Sequence, residues 1–419
     1  MSRPSDRLPP AFAKLGWSNL SAQLSEQIAL AAAPLVAVLL LNAGATETGL
    51  LQTAQTLPFL LLALPAGVLV DRVARRRLMA GSEALRAASL LAVIVLLAGG
   101  GLDLRLLGAL GFIGAIGTVC YSVAAPALLP SMVPRHQLGD ANRWLELARS
   151  TAYAGGPALG GIIVGWMGAS TAYIIATVLS LFAAVLLMRL PESAPAQKLR
   201  RHPLQEVAEG ARFVLTHPLL RPILITAIFF NTAWFVLQAI YVAYAIRHLG
   251  LTAVGVGVTL GIYGAGMIVG ALLAPRLMRR LPFGTMIILG PLAGLLAALI
   301  MLATLWMPLG VLAAASFFLF GFGPILWTIT TTTLRQVVTP LAMLGRVSAL
   351  VMTATFGARP IGAAIGAVLA ARAGVGACLA LSAAGFAVQL AVIMLSPAAR
   401  LSDLPAVTAD QSHAARLSS

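Results

Sequence analysis

The sequence predicts an all-α integral membrane protein, with twelve transmembrane helices in two pseudo-symmetric six-helix bundles. Three observations lead there. Of 419 residues, 59% are hydrophobic and only 10% charged, whereas soluble domains hold about 45–50% apolar and about 25% charged residues. Apolar runs of the length that crosses a ~30 Å hydrocarbon layer recur along the whole chain. Basic residues cluster between these runs, on alternate sides.

The runs fall at 17–41, 48–70, 78–100, 104–127, 143–166, 170–189, 220–246, 253–274, 284–306, 308–333, 344–370 and 375–396. Runs this long read as helices, because lipid offers the backbone no hydrogen-bond partner. Sorting the 28 Lys and Arg by side puts 22 on the side of the termini, 3 (Arg105, Arg247, Arg372) on the other, and 3 (Arg86, Arg149, Arg359) within spans. That split predicts cytoplasmic termini for a multi-pass protein of a bacterial-type cytoplasmic (inner) membrane. It also explains the net charge of +15 without nucleic acid, since no basic domain stands outside the apolar runs. Arg3, Arg7 and Lys14 mimic a secretory leader, but no clear cleavage site follows Leu41. Cys120 and Cys378 are too few for a disulfide framework or a metal cluster.

The expected organisation is a cytoplasmic tail (1–16), a six-helix bundle (17–190), a cytoplasmic linker (191–219), a second bundle (220–397) and a cytoplasmic tail (398–419). In the linker, Leu204, Val207, Ala208, Ala211, Val214 and Leu215 recur at helical spacing. This predicts a short amphipathic helix, lying on the membrane surface or packed on the neighbouring bundle. Traces of duplication survive: Gly67 and Gly270, like Pro157 and Pro360, are 203 residues apart. Two related halves place a binding site between them near the membrane midplane, reached from alternate sides.

After the second run the chain reads Gly67-Val-Leu-Val-Asp71-Arg72-Val-Ala74-Arg75-Arg76. The segment resembles the G-x-x-x-D-R-x-G-R-R loop of the major facilitator superfamily, with Ala74 in place of a glycine. The resemblance implies a cytoplasmic gate made by Gly67, Asp71, Arg72, Arg75 and Arg76, with Asp71 meeting the start of the eleventh span near Arg346. The arginines could equally serve topology alone. The second-half copy, Gly270 to Arg280, has lost the acid at Ala274.

In the fifth span, Gly156-Pro157-Ala-Leu-Gly160-Gly161 resembles the core of that superfamily's antiporter motif. Proline bends a helix and glycines admit a close neighbour, so ordinary packing is the alternative. Together with Glu209-Gly210-Ala-Arg212-Phe213-Val214 before the seventh span, the chain resembles the exporter branch that includes enterobactin exporters and drug:proton antiporters.

Charges within spans are expensive, so each is a functional candidate. Glu26 lies near the middle of the first span and shares a face with Asn19, Gln23 and Gln27, as on a cavity-lining helix. Glu26 is the expected proton carrier; a buried structural glutamate is the alternative. Arg359, before Pro360, could bind an anionic substrate, pair with Glu26, or satisfy carbonyls freed by the proline. Glu146, Arg149 and Tyr153 share a face in the fifth span, and the first two read as a local ion pair. Glu83 and Arg86 read as a similar, structural pair, because the resemblance makes the third span peripheral. Asn231, Trp234, Gln238 and Tyr241 recur along the seventh span, a stripe too polar for lipid. Thr118 with Tyr121, and Trp327 with Thr331, are the matching candidates in spans four and ten. Aromatic rings and amides together suit an amphipathic organic molecule.

The sequence holds no phosphate-binding G-K-S or G-K-T loop, no H-E-x-x-H and no C-x-x-C, so neither an enzyme nor a metal site is expected. The expected function is a proton-coupled exporter of small amphipathic molecules, monomeric, without a cofactor and driven by the proton gradient. An importer or lipid flippase of the same fold, and a non-transporting membrane sensor, are the alternatives.

Overall fold

The computed structural model describes residues 9–129, 132–134, 137–191 and 203–405. The helices are α1 (Pro10–Leu39), α2 (Ala45–Arg72), α3 (Arg75–Ala98), α4 (Leu104–Leu128), α5 (Leu138–Met167), α6 (Ala169–Met188), α7 (Pro203–Thr216), α8 (Leu220–Arg247), α9 (Ala253–Arg280), α10 (Phe283–Ala303), α11 (Gly310–Val338) and α12 (Leu341–Met394). Among the described residues, 9 helices are long and apolar enough to cross a membrane. The 28-residue α2 and 30-residue α5 are not among them.

Helix starts differ from the apolar runs where polar residues extend them. The first helix begins at Pro10, not at 17, because proline suits a first helical turn, where an N–H is unsatisfied anyway. The 54-residue α12 covers the runs expected at 344–370 and 375–396. It is broken only at Gly374, whose φ of +78° is a left-handed conformation that strains residues with a Cβ.

The chain divides into two compact units. One gathers the described residues of Met1–Leu199 with Tyr241–Gly261; the other gathers those of Arg200–Ile240 with Ile262–Ser419. The end of α8 and the start of α9 group with the first six helices.

In the first unit α1 packs on α5 and α6, α3 on α4 and α6, and α2 on α4. Leu15, Met79, Tyr121, Leu128 and Leu187 belong to one core cluster of this unit. Hydroxyls tie α1 to α6: Ser18 donates to the Ala183 carbonyl at 3.2 Å and Ser25 to the Ala176 carbonyl at 2.7 Å. Such bonds are the glue between helices that lipid cannot drive together hydrophobically.

In the second unit α10 packs on α11 and α12, and α7 packs on α12. Val214 of α7 is buried with Ile223, Ile287, Leu334, Val347 and Ile393. Of the two placements left open for the linker helix, the structure shows the packed one. The N–H groups of Phe283 and Gly284, orphaned at the start of α10, donate to the carbonyls of Ser402 and Leu401 at 3.0 and 2.7 Å.

Candidate functional site

Glu26 projects from α1 with 13% of its side chain accessible. Its cation is Arg86 of α3, at 3.9 Å from Nη2 to Oε2. The sequence pairs Arg86 only with Glu83, three residues back; the fold adds Glu26, because α1 and α3 both pack on α6. Glu83 is wholly buried and lies 2.8 Å from Arg86. Arg86 also donates to the Ala22 carbonyl at 3.0 Å and to the Thr118 hydroxyl at 2.8 Å. Ser180 of α6 donates to Glu83 Oε2 at 2.7 Å. The pair expected to be structural and peripheral is therefore continuous with Glu26. Tyr121, a turn from Thr118, is 3% exposed.

Arg149 and Glu146 form the expected local pair, with Nη2 to Oε1 at 2.8 Å and both side chains half exposed. Arg149 also lies 5.9 Å from the centre of the Tyr153 ring. Gln23 is half-buried and Gln27 buried. Gln27 packs where Gly156 of α5 leaves no room for a Cβ. A Cβ on Gly160 would stand 2.9 Å from that of Ala31. Gly161 faces the start of α9 backbone to backbone, and a Cβ on Gly257 would reach its Cα at 2.8 Å. The Gly156-Pro157-x-x-Gly160-Gly161 segment is thus a double helix crossing, α1 on one side and α9 on the other.

In the second unit Asn231 and Arg359 meet, with Nε donating to Oδ1 at 3.4 Å. The Arg359 guanidinium lies 4.1 Å from the Phe356 ring centre and 5.4 Å from that of Phe235, a cation–π setting. Trp234 is buried at the centre of an aromatic cluster with Phe230, Tyr263, Phe317 and Phe320. Trp327 packs on the Val214 core. Thr331 donates to the carbonyl of Trp327 within α11, and Gln238 is half-buried. Tyr241, grouped with the first unit, is fully buried, its hydroxyl 2.5 Å from that of Thr259.

At the basic turn, the side chains of Gly67, Asp71 and Arg72 lie outside the described residues. Arg76 donates to the carbonyls of Met188 and Leu190 at 3.1 and 2.9 Å, closing the C-terminus of α6. Arg75 is half-buried. Arg346 pairs with Glu209 of α7, an acid sequence reasoning did not select. Also missed was Arg247, which ends α8 and donates to the carbonyls of Asn42 and Ala43, both at 2.8 Å. Being one of only three basic residues on its side was the signal that could have found it. A cavity of about 600 Å³ opens between α2 and α4, lined by Leu50, Arg105 and Phe112 among others; none of the expected cavity residues lines it.

The decisive comparison is a family profile described as Major Facilitator Superfamily, which matches residues 15–363. The chain belongs to the Major Facilitator Superfamily. It is accordingly a multi-span membrane transporter and not an enzyme. Relatives include the enterobactin exporter EntS of Escherichia coli O1:K1, 29% identical over 61% of this chain and 59% of the relative. The same protein of Citrobacter koseri matches to the same extent. The chain thus spans about three fifths of the length of the relatives it matches. Among solved structures, a bacterial homologue of the iron transporter ferroportin in its inward-facing state superposes with a TM-score of 0.72 at 16% identity, over 92% of this chain and 98% of that one. A POT family transporter in complex with 5-aminolevulinic acid gives 0.75 at 11% identity, over 93% and 97%. At these identities the superpositions establish the superfamily fold and no more.

Proposed function

We propose that this superfamily member is a proton-coupled exporter of small amphipathic organic molecules, working by alternating access of two six-helix bundles, twelve spans in all. In this reading it is a monomer of a bacterial inner membrane with cytoplasmic termini, and it needs no cofactor. The observation that carries the reading is Glu26: a carboxylate in the middle of a spanning helix, held by a buried arginine. A charge there is expensive to keep unless it does work. Neutralising it with a proton and re-ionising it is the cycle that couples a proton gradient to transport. Similarity to an enterobactin exporter supports the outward direction. Gln23, Gln27, Thr118, Tyr121, Arg149 and Tyr153 in the first half, and Asn231, Trp234, Gln238, Tyr241, Trp327, Thr331 and Arg359 in the second, are the proposed substrate surface. Gly67, Asp71, Arg72, Arg75, Arg76 and Arg346 are the proposed cytoplasmic gate.

The test is survival of an efflux-deficient bacterium across dyes, antibiotics and siderophores, enterobactin included. Wild type and Glu26→Gln are compared at matched membrane abundance. Protection by wild type, lost in Glu26→Gln, is expected. Equal protection by both removes Glu26 from the mechanism. Protection by neither removes export of the molecules in the panel.

A further inference from the structure

We propose that the exposed arginines at the end of α9, Arg276, Arg279 and Arg280, form with Arg400 a docking site for the headgroup of one anionic phospholipid. The inference needs only that the chain spans a membrane, and it stands apart from the proton-coupled reading above.

The charge pattern carries the argument. From Gly210 to Ser402 the sequence holds 11 arginines and neither an aspartate nor a glutamate. Four of these arginines gather at one end of the second unit. Arg276, Arg279 and Arg280 lie in the last two turns of α9 and are exposed. Arg400, also exposed, is brought to the start of α10. The segment around it offers the carbonyls of Leu401 and Ser402 to the N–H groups of Gly284 and Phe283. It lies so close that the Ala399 carbonyl leaves no room for a Cβ on Gly284.

Among the described residues, none of the four arginines makes an ion pair or a side-chain hydrogen bond. The acids of this unit are Glu206 and Glu209 on α7, with Asp403 and Asp410. The linker helix packs on α12, where Glu209 pairs with Arg346. Asp403 and Asp410 together would match only two of the four guanidiniums. The negative end of the α9 dipole offsets about half an elementary charge more. Positive charge is left over after every one of these is counted.

The lost acid of the second-half loop has a physical reason. Position 274 stands four residues after Gly270, as Asp71 stands four after Gly67. Ala274 is 2% exposed, in a cluster with Met286 and Leu326. A carboxylate there would be buried among apolar side chains.

The surface leading to the arginines selects a lipid over a soluble anion. Ile268, Leu272, Arg276 and Arg280 are spaced by four along α9, so they follow one face. Ile268 is 53% exposed and Leu272 66%. The opposite face is occupied: Gly266 and Gly270 press on the backbone of Phe318 and Phe322 in α11, with no room for a Cβ. A bare apolar stripe that turns cationic at the helix end matches a molecule whose acyl chains end in a phosphate. A guanidinium grips a phosphate through two parallel N–H···O bonds. A soluble anion would use the arginines and leave the stripe unused.

The test titrates the full chain in detergent micelles with phosphatidylglycerol or phosphatidylcholine of identical acyl chains, and reads bound lipid by native mass spectrometry. Wild type should hold one phosphatidylglycerol in preference to phosphatidylcholine. Arg276→Gln/Arg279→Gln/Arg280→Gln should weaken it by roughly five-fold for each arginine removed. Arg212→Gln, which removes an exposed arginine from α7 of the same unit, should leave the affinity unchanged. Equal weakening in Arg212→Gln overturns the site in favour of net charge alone. No preference in wild type overturns it and leaves the arginines to topology. Displacement of the lipid by equimolar glycerol 1-phosphate overturns the lipid in favour of a soluble phosphate. If the triple variant does not insert, Arg400→Gln, beyond the last span, must weaken binding roughly five-fold; an unchanged value overturns the proposal.

Discussion

The heart of the first unit is ionic and that of the second is aromatic. In the first, Glu26, Arg86 and Glu83 are set among hydroxyls of Thr118 and Ser180. In the second, Trp234 stacks at 5.5 Å on Tyr263 and meets Phe320 edge-on at 4.7 Å. The same contrast separates α3, which begins with the basic residues Arg75, Arg76 and Arg77, from α10, which follows Arg279 and Arg280. The buried face of α3 holds Ser82, Glu83, Arg86 and Ser89; that of α10 holds glycines, alanines, methionines and Pro291. Aromatic packing is stabilising in many arrangements. A buried ion cluster is stable in few, and replacing it with apolar side chains often costs a protein nothing.

The largest effect should come from breaking the ionic centre at Arg86. Arg86→Met takes the ion-pair partner from the wholly buried Glu83, a loss of about 3–5 kcal/mol. The expected outcome is little folded transporter at neutral pH, checked by thermal unfolding in detergent. Next comes the aromatic centre. Trp234→Ala empties a large volume and should cost about 3 kcal/mol, whereas Trp234→Phe should cost less than about half of that. If the two were equally harmful, Trp234 would be serving through its indole N–H and not through its bulk.

The linker helix provides the exposed contrast. Glu209 pairs with Arg346 but is 55% exposed, so Glu209→Gln should change stability by less than about 1 kcal/mol, and less still in high salt. The smallest effect concerns His217, between α7 and α8. Its Nδ1 accepts from the N–H groups of Leu219 and Leu220 at 3.2 and 3.3 Å, and burial pushes its pKa below the ordinary 6.5. A lowered value means the folded state binds fewer protons than the unfolded one, so the contribution is whole above 6.5 and fades as pH falls below it. The protection factors of the Leu219 and Leu220 amides, with the intrinsic pH dependence of exchange divided out, should therefore fall from pH 7 to pH 5, and His217→Ala should flatten the difference.

Composition and the alternation of basic residues were enough to read an all-helical membrane protein from the sequence. The grouping of Tyr241–Gly261 with the first six helices rests on contacts between helices far apart in the chain, which no local pattern carries. Glu26 stood out because one helical face collects Asn19, Gln23 and Gln27 around it. Its partner did not, since helical spacing reveals neighbours three or four residues away and Arg86 lies on another helix. The same limit hid the meeting of Asn231 with Arg359 and of Arg346 with Glu209. The stripe Asn231, Trp234, Gln238, Tyr241 shows that a polar or aromatic face turns away from lipid. It does not show whether that face meets a cavity or, as around Trp234, other rings.

The spacing of Glu83 and Arg86 has a consequence in time. Thr118 follows Arg86 by 32 residues, and Ser180 follows Glu83 by 97. At synthesis rates of about 5–20 residues per second, Ser180 emerges about 5–20 s after Glu83. Throughout that interval α3 must enter the bilayer without the neighbours that later satisfy it. An arginine one turn along can compensate the glutamate as soon as that turn of helix closes. The pair is its own escort into the membrane, and only afterwards do the hydroxyls of α4 and α6 join it.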